Sequence, residues 1–135
     1  MAKLIAGFDI GGTKISLRVA DRSATTLYEA TIPTDPTTGA ALLIGDRYVY
    51  DGLSEQLVTM LKAALREIDH TSVSAIGLVS AGPIRNGGLW DTPNIVPPGI
   101  ARTQNGPSCF MPLVDPLRAA FACPCLLYTS PSPRD

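Results

Sequence analysis

Two aliphatic runs, residues 4–10 and 14–20, flank a Gly11-Gly12 pair, and no other stretch limits the fold so strongly. Apolar residues alternating on both sides of a Gly-Gly pair predict an antiparallel β-hairpin whose turn uses the positive φ open to glycine. Without Cβ atoms at Gly11 and Gly12, an anion can come close to the backbone N–H groups of the turn. Asp9 ends the incoming strand and offers a carboxylate to a hydrated Mg²⁺, while Thr13 and Lys14 add a hydroxyl donor and a positive charge. A hairpin that binds nothing shows the same Gly-Gly pattern, so a turn-only reading stands beside the phosphate-binding one.

Beyond the hairpin, residues 25–32 are β-branched and apolar and predict a third antiparallel strand. Pro33 and Pro36 then interrupt regular pairing. Residues 40–51 carry little pattern; Tyr48-Val49-Tyr50 fits a short edge strand or a loop packed by its tyrosines. Leu53, Leu57, Met60, Leu61, Ala64, Leu65 and Ile68 recur at intervals of three and four, predicting an amphipathic helix over residues 53–69 with Asp51 or Ser54 as cap. His70, the sole histidine, follows the last turn, where a cation complements the helix dipole.

The apolar run 73–80 predicts a buried strand, parallel to one of the first three because a helix precedes it. A Gly/Pro loop, residues 81–88, follows at the carboxyl end of that strand, where α/β sheets place ligands. Residues 96–112 hold four prolines and read as irregular, and residues 113–121 predict a short helix with Pro116 near its first turn.

The string Asp9-Ile10-Gly11-Gly12-Thr13-Lys14 resembles the phosphate signature of the actin-like sugar kinases of the ROK family (repressors, open reading frames and kinases). Other phosphate loops do not fit: the chain has no G-x-x-x-x-G-K-[ST] and no G-x-G-x-x-G opening a helix. Two further segments are similar to the family's: Ile76 to Ile84 looks like its G-[IV]-x-x-x-G-P-[VI] segment, with Leu78 at the second position, and Gly88 to Ile95 looks like its G-x-[IVL]-x-x-[ST]-P-N-[LI] segment, most closely over Thr92-Pro93-Asn94-Ile95. The resemblance implies an α/β fold, the N-terminal small domain of an actin-like (ribonuclease H-like) architecture, with a mixed sheet that begins with an antiparallel hairpin and is packed by helices. It implies an ATP-dependent kinase that phosphorylates a hexose or N-acylhexosamine. Asp9, Gly11, Gly12, Thr13 and Lys14 would bind the nucleotide phosphates, and Asp9 would order Mg²⁺ through water. Gly82, Pro83 and Asn94 would line the sugar site. Trp90 suits stacking on a sugar ring, though a lone Trp is more often a packing anchor.

The chain departs from the family in three places. Ser80-Ala81-Gly82-Pro83 stands where Pro-Gly-Pro is frequent, residues 96–112 are longer than the usual connection, and the expected Asn-Asp pair, whose Asp acts as general base, is not found. Residues 125–135 instead resemble a transposase-based sequencing adapter translated in frame; a Ser/Pro-rich tail is the other reading. Both imply a family domain over residues 1–124 and a disordered tail over 125–135. The general base and the family's zinc motif, a structural Zn²⁺ site, would then lie outside this chain. The chain is therefore expected to be inactive alone and poorly stable, with a domain-facing surface left bare.

With 135 residues, 45% of them hydrophobic, the chain can bury one core. Its net charge of -1 gives no electrostatic case for nucleic acid or an anionic membrane. The apolar N-terminal run stops at Asp9, too short to export or to span a bilayer, so the expected location is cytoplasmic. The expected partner is a sugar substrate, with homo-oligomers open to the full-length protein. Three cysteines, all beyond residue 108, form no disulfide framework, and Cys123-Pro124-Cys125 without a second ligand pair is weak evidence for metal. Two rival readings are a sugar-responsive repressor of the same family, which would need a DNA-binding segment ahead of Asp9 where eight residues stand, and a non-catalytic αβ binding module.

Overall fold

A computed structural model describes residues 3–35, 41–81, 83–90 and 108–129. The first three strands form the expected antiparallel meander: β1 (Leu4–Ile10), β2 (Lys14–Asp21) and β3 (Thr26–Pro33). Leu4, Ala6, Phe8 and Ile10 point into the core, and Ile5, Gly7 and Asp9 point out. The register sets Phe8 opposite Leu17, so Ile15, Leu17 and Val19 of β2 meet the same apolar layer. A one-residue slip would turn this whole set to solvent, which is why the alternation specifies the pairing. Between β2 and β3, the Asp21 carboxylate accepts from the amides of Ser23 and Thr25 at 2.9 and 3.0 Å, making the turn.

The helix α1 (Gly52–Glu67) buries Leu53, Leu57, Met60, Leu61, Ala64 and Leu65, the stripe read from the sequence. Its start differs in detail. Asp51 occupies the cap position but its carboxylate caps nothing; the Ser54 hydroxyl donates instead to the Asp51 carbonyl at 2.9 Å. The C-terminus closes with the amides of Asp69 and His70 donating to the carbonyls of Arg66 and Leu65 at 3.2 and 2.9 Å. Asp69 there adopts a left-handed φ of 59°, the conformation that lets both bonds form.

After α1, β6 (Ala75–Ser80) runs parallel to β1, with Phe8 opposite Leu78, as the crossover requires. A second helix, α2 (Val114–Phe121), follows the predicted position and buries Leu117. At the end of the described chain, Cys125–Thr129 form β10, parallel to β6. This corrects the expectation of disorder over residues 125–135 for its first five positions: Cys125-Leu126-Leu127-Tyr128-Thr129 is a β-favouring run, and β6 offers it an open ladder. Residues 130–135 lie outside the described residues. The first sheet thus has the order β10-β6-β1-β2-β3.

A second five-stranded sheet was not anticipated. Its strands are β4 (Ala41–Ile44), β5 (Arg47–Tyr50), β7 (Ile84–Arg85), β8 (Gly88–Trp90) and β9 (Ser108–Pro112), in the order β4-β5-β9-β8-β7. Gly45, at φ 64°, turns β4 into β5, and Asn86-Gly87, at 56° and 72°, turn β7 into β8. Residues 108–112, expected to be irregular, are a strand between β5 and β8. Pro112 is tolerated because it closes the strand. Gly88 is required where it stands: a Cβ would lie 2.3 Å from the Met111 carbonyl oxygen and 2.6 Å from Cε1 of Phe110.

The two sheets and both helices share one core, in which Phe8, Leu17, Leu57, Leu61 and Leu78 meet Tyr50, Leu89, Met111, Leu113 and Leu117. Apolar side chains also remain outside it: Leu42, Leu43 and Ile44 on β4, and Ile5, Leu126 and Tyr128 on the outer face of the first sheet, are all exposed. Among the described residues, no helix is long and apolar enough to cross a membrane.

Candidate functional site

The β1–β2 connection is a three-residue loop, Gly11-Gly12-Thr13. Neither glycine takes a positive φ, since the positive-φ glycines among the described residues are Gly45 and Gly87. The sequence argument from handedness therefore gives way to one from space. The Gly11 amide donates to the Lys14 carbonyl at 2.9 Å, and a Cβ on Gly11 would sit 3.1 Å from that same oxygen.

The loop is also held from behind. Thr34, one residue past β3, donates its amide to the Thr13 carbonyl at 2.9 Å and its hydroxyl to the Gly11 carbonyl at 3.0 Å. With both carbonyls so engaged, the amides of Gly12 and Thr13 carry no hydrogen bond among the described residues. Backbone donors without an acceptor among the described residues are what a phosphate-binding loop has to offer. Thr34 is the contributor that sequence reasoning missed. Its only signal was a hydroxyl beside the proline that ends β3, and its partners lie more than twenty positions away.

Asp9, the penultimate residue of β1, points outward and is exposed, and Thr13 and Lys14 are exposed as well. The one ion pair among the described residues is Arg47–Asp46, so Asp9 and Lys14 are unpaired there. Because β1 and β6 run parallel with Ile10 opposite Ser80, the Gly11–Thr13 loop and the loop that leaves Ser80 emerge side by side at the carboxyl edge of the sheet. Of the sugar-site candidates, Pro83 lies in that second loop, exposed, with its carbonyl accepting the Trp90 amide at 3.0 Å. Gly82 and Asn94 lie outside the described residues.

Trp90 is a packing anchor. It is 6% exposed, its ring stacks on Phe110 at 4.7 Å, and its indole N–H donates to the Arg85 carbonyl at 3.0 Å. At the other end of the fold, burial pushes the Cys125 thiol up to about 11, with Cys123 adding to the effect and Arg118 opposing it. Burial raises Cys123 as well. The described residues contain no group of three His, Cys, Asp or Glu side chains placed to hold a metal ion.

Comparison with known proteins bears on this geometry. No curated protein matches the chain. The fold matches the ROK hexokinase of Thermus thermophilus at a TM-score of 0.65 and 26% identity, over 93% of this chain and 35% of that one. A ROK family glucokinase from Streptomyces griseus, solved with glucose and AMPPNP, matches at 0.52 and 24%, over 93% and 33%. A ROK family transcriptional regulator, a homolog of the E. coli MLC protein, matches at 0.59 and 10%, over 93% and 27%. The chain spans about a third of the length of these kinases. The two mixed sheets and two helices are those of the N-terminal domain of actin-like kinases. The ROK family profile matches residues 5–130, from β1 through β10, and the chain belongs to the ROK family.

Proposed function

We propose that this chain is the nucleotide-gripping and part of the sugar-gripping portion of an ATP-dependent ROK sugar kinase acting on a hexose or N-acylhexosamine. The observation that carries the reading is the loop Gly11-Gly12-Thr13. Thr34 holds it by its carbonyls, and among the described residues its Gly12 and Thr13 amides have no acceptor and the neighbouring Asp9 carboxylate has no ion-pair partner. Those groups fit a nucleotide polyphosphate with its metal ion. The Gly12 and Thr13 amides and the Lys14 ammonium would hold phosphate oxygens, Gly11 would let the loop close tightly on the Lys14 carbonyl, and Asp9 would hold Mg²⁺ through water. Bound Mg²⁺-ATP supplies the phosphoryl group that a sugar hydroxyl accepts. Pro83 stands in the loop at the same sheet edge and, with Gly82 and Asn94, would contribute to the sugar site. Location in the cytoplasm follows from this reading, because that is where ATP and the free sugar meet.

The likeness to a hexokinase and to a glucokinase bound to glucose and AMPPNP supports a kinase over a bare binding module. Because the chain spans about a third of those proteins, it is expected to bind nucleotide weakly and to turn over none by itself. Release of ADP by the purified chain with glucose would overturn that part.

Titration of Mg²⁺-ATP into the ¹⁵N-labelled chain tests the assignment at residue level. Amide shifts should concentrate at Gly12, Thr13 and Lys14, and Asp9→Ala should remove the part that depends on Mg²⁺ while leaving the melting temperature unchanged. Shifts spread evenly over the sheets, or none at the loop at millimolar nucleotide, would sink the kinase reading and favour the regulator, whose likeness here is one of fold.

A further inference from the structure

A second polar site lies on the second sheet, assembled from β5, β7, β8 and β9. Asp46, Arg47, Arg85, Asn86, Trp90 and Ser108 line a cavity of about 330 Å³. Its floor is the Trp90 ring, held in place by Phe110 and by the indole hydrogen bond to Arg85. Over that ring stand two cations. The Arg85 guanidinium carbon is 4.4 Å from the ring centroid and that of Arg47 is 5.3 Å away.

Stacking uses the flat face of a guanidinium and leaves its N–H edge free. Arg85 makes no ion pair among the described residues. Arg47 makes one, through Nε to Asp46 at 3.4 Å, and the Asp46 carboxylate is 87% exposed. A long contact to so exposed a group neutralises little. Two like charges are thus gathered on one indole: Arg47 gives its Nε to Asp46 and keeps its terminal N–H edge, Arg85 meets no carboxylate among the described residues, and Asn86 and Ser108 line the same cavity. An oxyanion accepting from both guanidiniums would offset the repulsion that the single exposed Asp46 carboxylate leaves.

We infer that this cavity binds a small-molecule oxyanion, a phosphate or carboxylate group, held by the forks of Arg47 and Arg85. Planar and tetrahedral oxyanions match the paired N–H geometry of arginine, whereas a neutral sugar or a simple halide does not. The site stands apart from the Gly11–Thr13 loop and does not depend on the kinase reading, since it uses none of the same residues.

Trp90 is the only tryptophan in the chain, so the tryptophan emission of the folded chain comes from the floor of this cavity. The test titrates the 135-residue chain with potassium phosphate, with potassium acetate and with potassium chloride at matched ionic strength. A saturable change with phosphate or acetate, absent with chloride, is expected, and the stronger of the two identifies the oxyanion class. Arg85→Gln should weaken the apparent affinity about tenfold, with circular dichroism reporting the fold. Arg85→Lys keeps a cation over the ring but loses the fork, and it should weaken binding while preserving the melting temperature. Phosphate and acetate curves that coincide with chloride would overturn the inference, as would Arg85→Lys binding as tightly as the unaltered chain.

Discussion

Gly88→Ala should markedly destabilise the fold through the second sheet, while Gly77→Ala leaves stability almost unchanged. At Gly88 an added Cβ would lie 2.3 Å from the Met111 carbonyl oxygen, 2.6 Å from Phe110 Cε1 and 3.0 Å from the Met111 carbonyl carbon. Relieving the first contact to an ordinary distance means moving β8 about 1 Å from β9, a large part of the slack in a ladder with strands roughly 4.8 Å apart. The clashing atom is backbone, so no side-chain rotation absorbs the strain. Overpacking of this kind costs about 1–3 kcal/mol, and weakening the Leu89–Met111 pairing adds roughly 1 kcal/mol per hydrogen bond lost. A total near 3 kcal/mol corresponds to a fall of about 10 °C in melting temperature for a chain of this size. A Cβ on Gly77 meets no atom within 4 Å, so alanine there should be neutral or stabilise by about 0.5 kcal/mol. Thermal unfolding followed by far-ultraviolet circular dichroism and by Trp90 fluorescence measures both. Equal melting temperatures for the two variants would refute the close-approach argument.

Further expectations can be checked with the same equipment. Thr34→Val removes the hydroxyl bond to the Gly11 carbonyl while keeping the backbone bond to Thr13; it should cost about 1 kcal/mol and weaken nucleotide-induced shifts at Gly12. Unchanged shifts would show that the strap is not needed for phosphate binding. Ala122 ends α2 at a left-handed φ of 52°, with its amide donating to the Arg118 carbonyl at 2.8 Å; Ala122→Gly should stabilise by about 0.5–1 kcal/mol, and a lower urea midpoint would contradict this. The pH dependence of stability should be one-sided. Burial lifts Cys125 from 9.0 to about 11, and it lifts Tyr50 from 10.0 to about 12 with help from nearby Asp35, Asp51, Glu55 and Cys109. Folding thus favours the protonated forms, so their contribution is complete below pH 9 and is lost from 9 to 11 for Cys125 and from 10 to 12 for Tyr50. A urea midpoint flat between pH 8 and 11 would argue against buried thiol and phenol groups.

The parts of the fold that could be read from sequence were those whose pattern is local. The alternation of Leu4, Ala6, Phe8 and Ile10, and the three-four spacing of Leu53, Leu57, Met60 and Leu61, each specify an element and its buried face without reference to the rest of the chain. The second sheet escaped because its strands have two to five residues and their partners are remote, with Arg47 paired to Ser108. Leu42, Leu43 and Ile44 are all exposed, so β4 shows no alternation. One signal was present and passed over: Asn86-Gly87 is the residue pair that a two-residue hairpin with two positive φ values demands. At the candidate site, positive φ is not the reason for Gly11, whose Cβ would crowd the Lys14 carbonyl instead, and nothing in the motif named Thr34. A hydrogen bond between residues 11 and 34 exists only once three strands have folded side by side.

The pairing of Ile10 with Ser80 has a mechanical consequence. Rungs of adjacent parallel strands hold the Gly11–Thr13 loop and the loop after Ser80 at a fixed offset, so the two cannot approach or part without tearing the sheet. On the proposed kinase reading they would serve as one jaw of a vice, and any closing stroke around a substrate would have to come from residues other than these.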